Sequence, residues 1–163
     1  MSGKLLQEIH KTRPFESIRQ EALLNVIRTA DHLMRGFEDL LKPQNLSPTQ
    51  YNVLRILRGM TAPGAHGNSA HAAGVPCKTI GEHMVTRDPD ITRLLDRLEA
   101  RGLITRQRDT RDRRVVSTRI TAPGLEILKE LDGPVAAFHA AQFPNMADGM
   151  LEQLIDLLEQ ARG

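Results

Sequence analysis

The chain has 163 residues, the length of one domain or of one domain with helical extensions, and its 40% hydrophobic content predicts a packed core. A single cysteine excludes an internal disulfide, no apolar run reaches the ~18 residues of a membrane-spanning helix, and the N-terminus lacks a signal-peptide pattern, so we expect a cytoplasmic protein. Because the net charge is only +2, any strong interaction with an anion must come from local clustering of basic residues.

The N-terminal region predicts two helices and a loop. Residues 15–42 carry apolar side chains at steps of three and four, which predicts one long helix that Pro43 stops. Its apolar stripe is wide, so we expect it to pack against more than one neighbour, such as a second subunit. Residues 46–60 predict a helix with Ser47 as its N-cap. Residues 61–76 are rich in Gly, Ala and Pro and predict a long loop.

The next two predicted helices differ in character. Residues 77–85 predict a short helix, followed closely by a second one with Asp88 as N-cap, Pro89 at its first position and Gly102 at its end. This second helix has a narrow apolar stripe, and its remaining sides are polar. The stripe consists of Ile91, Leu94, Leu95 and Leu98. One docking stripe, one free polar face and a short connection to the preceding helix are typical of a helix-turn-helix that reads the major groove of DNA.

After Gly102 the periodicity changes to that of strands. LITRQR and VVSTRIT alternate β-branched and polar residues, and the charged segment DTRDR between them predicts a hairpin tip. Residues 106–120 contain six arginines and two aspartates, whereas residues 120–163 hold two basic and seven acidic side chains. A basic centre beside an acidic C-terminal region indicates a local anionic partner.

The C-terminal region predicts further helices. One begins behind Thr121 and is kinked or broken by Gly133-Pro134, and residues 147–163 form a last helix with a broad apolar stripe. The predicted fold class is therefore mainly α with a small β-hairpin wing: a winged helix-turn-helix flanked by helices. The broad stripe of the last helix suits burial against the N-terminal helix or a partner subunit. The expected regions of this single structural domain are 1–46, the DNA-binding region 47–120 and 121–163.

Three segments resemble the multiple antibiotic resistance regulator (MarR) family. They are the run T-R-x-x-D-R-L-E-x-x-G-L from Thr92 to Leu103, the wing signature D-x-R-D-x-R from Asp109 to Arg114, and LSPTQYNVLRIL, which is similar to the family's second helix. The resemblance spans roughly residues 20–160. It implies a transcriptional regulator, usually a repressor, that binds a pseudo-palindromic operator in double-stranded DNA as a homodimer. The resemblance also implies that the two outer regions, 1–46 and 121–163, are dimerisation helices.

The predicted DNA contacts come from the residues and from the resemblance. Polar side chains on the second helix can reach base edges or phosphates, with Thr92 and Arg93 as the leading candidates. The resemblance implies that an arginine at the hairpin tip enters the minor groove and that Asp112 and Arg114 brace the wing by ion pairing. The predicted DNA-contacting residues are Lys78, Thr79, Arg87, Asp90, Thr92, Arg93, Arg97, Arg111 and Arg113.

A small-molecule effector is also implied by the resemblance. Many family members release DNA when a small aromatic acid or phenol binds between the dimer helices and the DNA-binding lobe, and others respond to oxidation or metal. The candidate pocket residues in this chain are His32, Met34, Phe37, Tyr51 and, in addition, His139. The competing interpretation is that these residues belong to the core or to the dimer interface.

The sequence shows no motif of a metal site or of an enzyme active site. His66, His71, Cys77 and His83 lack the spacing of a structural zinc motif, so we predict no metal and no cofactor. No phosphate-cradling Gly loop or nucleophile motif is present, so we predict no enzymatic activity.

Three alternatives remain open. In one, Asp96 and Glu99 simply form ion pairs with Arg97 and Arg101 on an ordinary surface helix. In another, Lys78 lowers the pKa of Cys77, and oxidation of this thiol regulates the protein. In the third, the winged helix binds a protein, although an arginine-rich wing favours DNA.

Overall fold

Helices dominate the part of the chain that the computed structural model describes, which is residues 3–61, 74–86, 90–108 and 116–163. The helices are α1 (Leu5–Glu8), α2 (Ile18–Leu41), α3 (Pro48–Thr61), α4 (Cys77–His83), α5 (Ile91–Ala100), α6 (Ala122–Ala140) and α7 (Asp148–Arg162), with a 3₁₀ turn at Lys42–Gln44. The strands are β1 (Val75–Pro76), β2 (Ile104–Arg108) and β3 (Val116–Ile120). This order confirms the predicted winged helix-turn-helix between flanking helices.

The core lies where α3, α4, α5 and α6 meet the sheet. It is almost entirely aliphatic, with Tyr51 as its buried aromatic residue among those described. Burying one such Leu or Ile side chain contributes roughly 1.5–3 kcal/mol, so these contacts fix how the helices meet. Fully buried residues come from every one of these elements: Leu54 and Leu57 (α3), Ile80 (α4), Leu95 and Leu98 (α5), Ile104 (β2) and Leu128 (α6).

The sheet is antiparallel with strand order β1-β3-β2. Arg106 of β2 lies opposite Thr118 of β3, and Val75 of β1 lies opposite the same Thr118 on the other side. The prediction of a loop through residue 76 was wrong at β1, because a two-residue strand is too short to show alternation. Gly74 leads into it with a φ of +111°, and a Cβ there would approach the carbonyl oxygen of Thr118.

Two helix starts differ from the prediction. Helix α5 begins at Ile91, because the carboxylate of Asp90 accepts the backbone N–H of Arg93 at 3.2 Å and so acts as the N-cap. The predicted N-cap Asp88 and first helical residue Pro89 lie outside the described residues. Helix α2 begins three residues later than predicted, because Ser17 caps it by accepting from the Gln20 N–H.

The ends of α3 and α5 are built as the sequence predicts. Ser47 and Gln50 form a reciprocal capping box at the start of α3, with backbone N–H to side-chain oxygen distances of 3.2 and 3.0 Å. Helix α5 closes with bonds from Gly102 N–H to Glu99 O and from Leu103 N–H to Leu98 O. Because Gly102 has a φ of +70°, this closure favours glycine.

Helix α6 continues through Pro134, so of the two predicted outcomes there, a kink or a break, the break was wrong. Leu131 and Val135 on either side of the proline are buried in the core, so packing offsets the lost backbone hydrogen bond. The helix ends instead at Ala140, before Pro144.

Helices α2 and α7 leave much apolar surface uncovered. All residues of α7 retain solvent exposure, and the exposed large apolar side chains of the two helices are Ile18, Leu23, Val26, Ile27 and Met34 (α2) and Met150, Ile155 and Leu157 (α7). Large apolar side chains left exposed on two helices are candidates for an interface with a partner. Among the described residues, no helix is both long and apolar enough to cross a membrane.

Candidate nucleic-acid interface

The recognition helix α5 has the division of faces that its sequence predicts. Leu94, Leu95 and Leu98 are buried and dock the helix onto α3 and the sheet. Thr92, Arg93 and Arg97 are exposed on its other sides. The helix therefore presents two guanidinium groups and a hydroxyl to solvent, the donors that read base edges and phosphates.

The charged residues of this surface differ in how far they are already engaged. Arg93 forms an ion pair with Asp90, with 3.1 Å between Nε and Oδ2, and its side chain is still 76% exposed. Arg97 makes no ion pair with a described residue and lies in an open groove beside Lys42 and Arg101. Arg101 has a structural role, since its guanidinium donates hydrogen bonds to the carbonyl oxygens of Asn45 and Gln44 at 2.6 and 2.8 Å.

The carboxylates of α5 pair with a strand residue and not with arginines of their own helix. Arg106 of β2 donates from Nε to Glu99 Oε2 at 2.8 Å, and its Nη2 lies 2.6 Å from Glu99 Oε2 and 2.5 Å from Asp96 Oδ1. The interpretation that Asp96 and Glu99 pair with Arg97 and Arg101 was therefore wrong, because both acids pair with Arg106. The hydrogen bond to Glu99, followed by that to Asp96, raises the pKa of the Arg106 guanidinium above its ordinary value.

Helix α4 and its connection to α5 lie beside this surface. Lys78 is exposed with its Nζ 3.9 Å from Glu82, and Thr79 is half-buried. The turn after α4 is tied to α3, because Val85 N–H donates to Asn52 Oδ1 at 3.1 Å. Lys78 and Thr79 thus lie on α4, which contacts the recognition helix, and the connection between these two helices is anchored to α3.

The wing is described only in its two strands. Arg108 and Arg119 are exposed on these strands. His66 and His71 lie outside the described residues. So do the remaining predicted wing and linker residues, which are Arg87, Arg111, Asp112, Arg113 and Arg114. Arg106 was not among the predicted site residues, because the partners of a strand arginine cannot be read from spacing along the chain.

Cys77 sits in a different environment from the one predicted. It lines a cavity of about 150 Å³ between α4, α5 and the sheet, together with Arg106 and Thr118. Burial raises the pKa of the Cys77 thiol, and nearby Arg106 offsets only part of this rise, so the expected lowering by Lys78 was wrong. A thiol with a raised pKa is a poor nucleophile, which weakens the redox alternative. No group of three or more potential metal ligands occurs among the described residues.

A larger cavity, of about 410 Å³, lies between α2, α3 and the turn after α4. Its lining includes four of the five predicted pocket residues, Met34, Phe37, Tyr51 and His139, whereas His32 is exposed on α2 and does not line it. The Phe37 and Tyr51 rings meet edge to face at 5.4 Å, and the His139 ring stacks on Phe37 at 6.3 Å.

The polar groups of this aromatic cavity were not predicted from the sequence. Arg55 lies over the Tyr51 ring at 5.9 Å and also lines the cavity, as do Asn52, Val85 and Thr86. An apolar, aromatic wall with one cation fits a flat organic anion. The cavity also touches the helix-turn-helix connection itself.

The fold and this surface define the class: a winged helix-turn-helix protein whose recognition helix exposes two arginines. The model of the MarR family matches residues 46–116. A MarR transcription factor from Planctomyces limnophilus is 39% identical, with a TM-score of 0.63 over 90% of this chain and 98% of that one. The chain belongs to the MarR family of transcriptional regulators.

Two further relatives are more distant. The HTH-type transcriptional regulator MhqR of Bacillus subtilis is 27% identical over 112 residues, which is 69% of this chain and 66%, just under two thirds, of that regulator. CouR from Rhodococcus jostii RHA1, whose crystal structure contains p-coumaroyl-CoA, is 25% identical with a TM-score of 0.67 over 90% of this chain and 95% of CouR.

Proposed function

We propose that this chain is a repressor that binds a pseudo-palindromic operator as a homodimer and releases it when a small aromatic acid or phenol binds. The observation that carries the proposal is the recognition helix, which is docked by three buried leucines and presents Arg93 and Arg97 to solvent. A protein-binding winged helix has no need of this cationic face. The proposal gives the protein no catalytic role, and it places the protein in the cytoplasm with the DNA it binds.

In this proposal α5 enters the major groove and the wing reaches the neighbouring minor groove. Thr92, Arg93 and Arg97 contact bases or phosphates, while Lys78, Thr79 and Arg87 contact the backbone. Arg111 or Arg113 enters the minor groove, with Asp112 and Arg114 bracing the hairpin tip. Asp90 contributes through its N-cap, because its carboxylate is already bonded to the Arg93 amide.

The dimer is proposed from the uncovered apolar faces of the outer helices. Ile27 of α2 and Ile155 of α7 are each more than half exposed in the single chain. A second copy of the chain packs against these faces. The dimer interface then lies in residues 1–46 and 121–163, and residues 47–120 remain free to bind DNA. Two-fold symmetry then predicts half-sites about one helical turn, roughly 34–36 Å, apart.

The effector site is proposed in the 410 Å³ cavity. An aromatic ring packs against Phe37 and Tyr51, and its carboxylate or phenolate faces Arg55. Because Val85 and Thr86 line the same cavity, an occupant bears directly on the turn that leads to α5. CouR, of similar fold, was solved with an aromatic thioester bound, which supports an aromatic ligand here.

A gel-shift assay on the DNA upstream of the protein's own gene tests the proposal, at two salt concentrations and with or without salicylate. We expect specific binding that weakens steeply with salt and is reversed by salicylate. A scrambled duplex of equal length and composition is the control. Equal affinity for both duplexes would support the alternative of a protein-interaction module, and DNA release by peroxide but not salicylate would support redox sensing.

A further inference from the structure

The recognition helix carries an electrostatic problem for a helix that enters DNA. Its ten residues contain two arginines and two carboxylates, so its own side-chain charges cancel. Asp96 and Glu99 lie on the same helix as Arg93 and Arg97, and the side chains of both acids are partly exposed. A carboxylate brought near phosphates repels them, and the repulsion grows as water is excluded.

Arg106 meets both of these carboxylates at once. Its guanidinium bonds two oxygens of different acids, and its backbone N–H donates to Glu99 Oε1 at 3.0 Å. Glu99 is thus held by the main chain and the side chain of the same strand residue. This geometry turns its carboxylate towards β2.

The guanidinium of Arg106 is not available for DNA itself. Its side chain is 23% exposed, against 76% for Arg93, and it lies over the cavity that Cys77 and Thr118 line. Thr118 stands opposite it in the sheet and is fully buried, and its Oγ1 has no partner among the described residues. Arg106 is therefore positioned by its ion pairs more than by packing beneath it.

We propose that Arg106 is a positioning residue for operator binding that acts through Asp96 and Glu99. It turns both carboxylates towards the sheet and offsets part of their charge, so that α5 presents its cations to the DNA. The inference rests on the proposed DNA-binding function and adds to it a residue that needs no contact with the operator. An arginine suits this role because its planar fork can bond two carboxylates at the same time.

Four variants separate charge masking from a structural role: Arg106→Ala, Arg106→Lys, the double variant Asp96→Asn/Glu99→Gln, and the triple variant that combines Arg106→Ala with both amides. Asn and Gln keep the oxygen acceptors for Arg106 and remove only the negative charge. Operator affinity is measured by fluorescence anisotropy at about 50 and 200 mM salt, where electrostatic contributions differ most. Thermal unfolding of each variant is followed by circular dichroism.

We expect Arg106→Ala to weaken operator binding about tenfold at the lower salt concentration and by less at the higher one, because salt screens the unmasked carboxylates. Arg106→Lys, which keeps the charge without the fork, loses about threefold. The double variant binds at least as tightly as the wild type, and the triple variant recovers to within about twofold of it.

Three results would overturn the inference. The triple variant could remain as weak as Arg106→Ala, or the double variant could lose as much as Arg106→Ala, which would make the network purely structural. The loss in Arg106→Ala could also be independent of salt. If Arg106→Ala does not fold, the double variant carries the test by itself. A wild-type protein that binds no duplex contradicts the proposed function, and this inference falls with it.

Discussion

At the scale of single residues, ion pairs and side-chain hydrogen bonds connect the DNA-binding lobe to the helices that flank it. Arg58 of α3 and Asp132 of α6 form a two-pronged pair, with nitrogen to oxygen distances of 2.9 and 2.8 Å. Gln44, just before α3, donates to Glu130 of α6 at 2.8 Å. Paired donors of this kind fix orientation as well as adding stability. They set the position of α6 against the lobe from which α5 projects.

The Arg58 pair predicts a pH dependence of folding stability. Hydrogen bonds from Arg58 lower the pKa of Asp132 below its ordinary value, so the carboxylate is ionised more readily in the folded chain than in the unfolded one. The stabilisation is therefore present above the unfolded pKa of about 3.9 and is lost as pH falls through the lower folded pKa. Because Asp132 is 48% exposed, solvent screening limits the contribution to about 1 kcal/mol or less.

Urea unfolding of wild type and Asp132→Asn measures this contribution. We expect the variant to be less stable by up to about 1 kcal/mol at pH 7, with the gap narrowing below about pH 4. Glu126→Gln on the same helix is the matched control, since Glu126 is exposed and makes no ion pair with a described residue. A gap that stays constant between pH 7 and pH 3 would rule out ionisation of Asp132 as its source.

At the scale of elements, periodicity was a good guide where an element was long or repeated its pattern. The long helix α2, the docking stripe of α5 and the paired strands β2 and β3 all follow from local sequence. The misses have tertiary causes. Strand β1 exists only through its pairing with β3, and α6 passes through Pro134 because the residues around it are buried.

The candidate site was predictable to the extent that its residues share one element. Thr92, Arg93 and Arg97 follow from the polar face of α5. Arg106 does not, because its carboxylate partners lie on α5 and the spacing along β2 does not show them. Arg55 lies one turn from Tyr51 on α3, but the cavity that both line is closed by α2 and the turn after α4, which spacing along α3 does not show. His32 was chosen by residue type, and the turn of α2 placed it on the outside of the helix.

Helix α3 lines the cavity and also contacts the recognition helix, which makes Arg55 a test of the effector proposal. Arg55→Gln removes the cation from the cavity while leaving the surface of α5 untouched. We expect the salicylate concentration for half-release of operator DNA to rise about tenfold, with operator affinity in the absence of salicylate unchanged.

Arg35→Gln is the matched control for Arg55→Gln. Arg35 is an exposed arginine of α2 that pairs with Asp31 at 2.8 Å and does not line the cavity. An equal shift in both variants would indicate a general charge effect, and no shift in Arg55→Gln would remove this cavity as the salicylate site.

At the scale of the whole molecule, apolar side chains are buried to different extents in different helices. An aliphatic core joins α3, α4, α5, α6 and the sheet, whereas α2 and α7 expose large apolar side chains. The C-terminal helix buries none of its residues fully, so packing against the rest of the single chain contributes little to its stability. An assembly that covers both helices stabilises α7 and, in the same step, fixes the distance between two recognition helices.

This argument predicts that weakening the apolar face of α7 separates assembly from folding of the lobe. Ile155 and Leu157 lie at the two edges of the broad apolar stripe of α7, since residues two apart do not share one side of a helix. They are 55% and 63% exposed in the single chain, so replacing both by Asp costs the isolated fold little. In the dimer each replacement buries a charge, which is strongly unfavourable. We expect monomers by light scattering, an intact thermal transition of the lobe, and operator affinity lowered by at least about 100-fold, because each lobe then binds a half-site alone.

The control for this double variant is Glu159→Gln, a change on the same helix that alters charge without touching the apolar side chains. We expect it to remain dimeric. If the apolar face of α7 is not the dimer interface, the Ile155→Asp/Leu157→Asp protein will remain dimeric as well. If the double variant is monomeric yet binds the full operator as tightly as the wild type, the two half-sites are not read together, and the symmetric operator proposed here is wrong. Because assembly and DNA affinity are measured on the same sample, the dimer and the operator symmetry are tested separately.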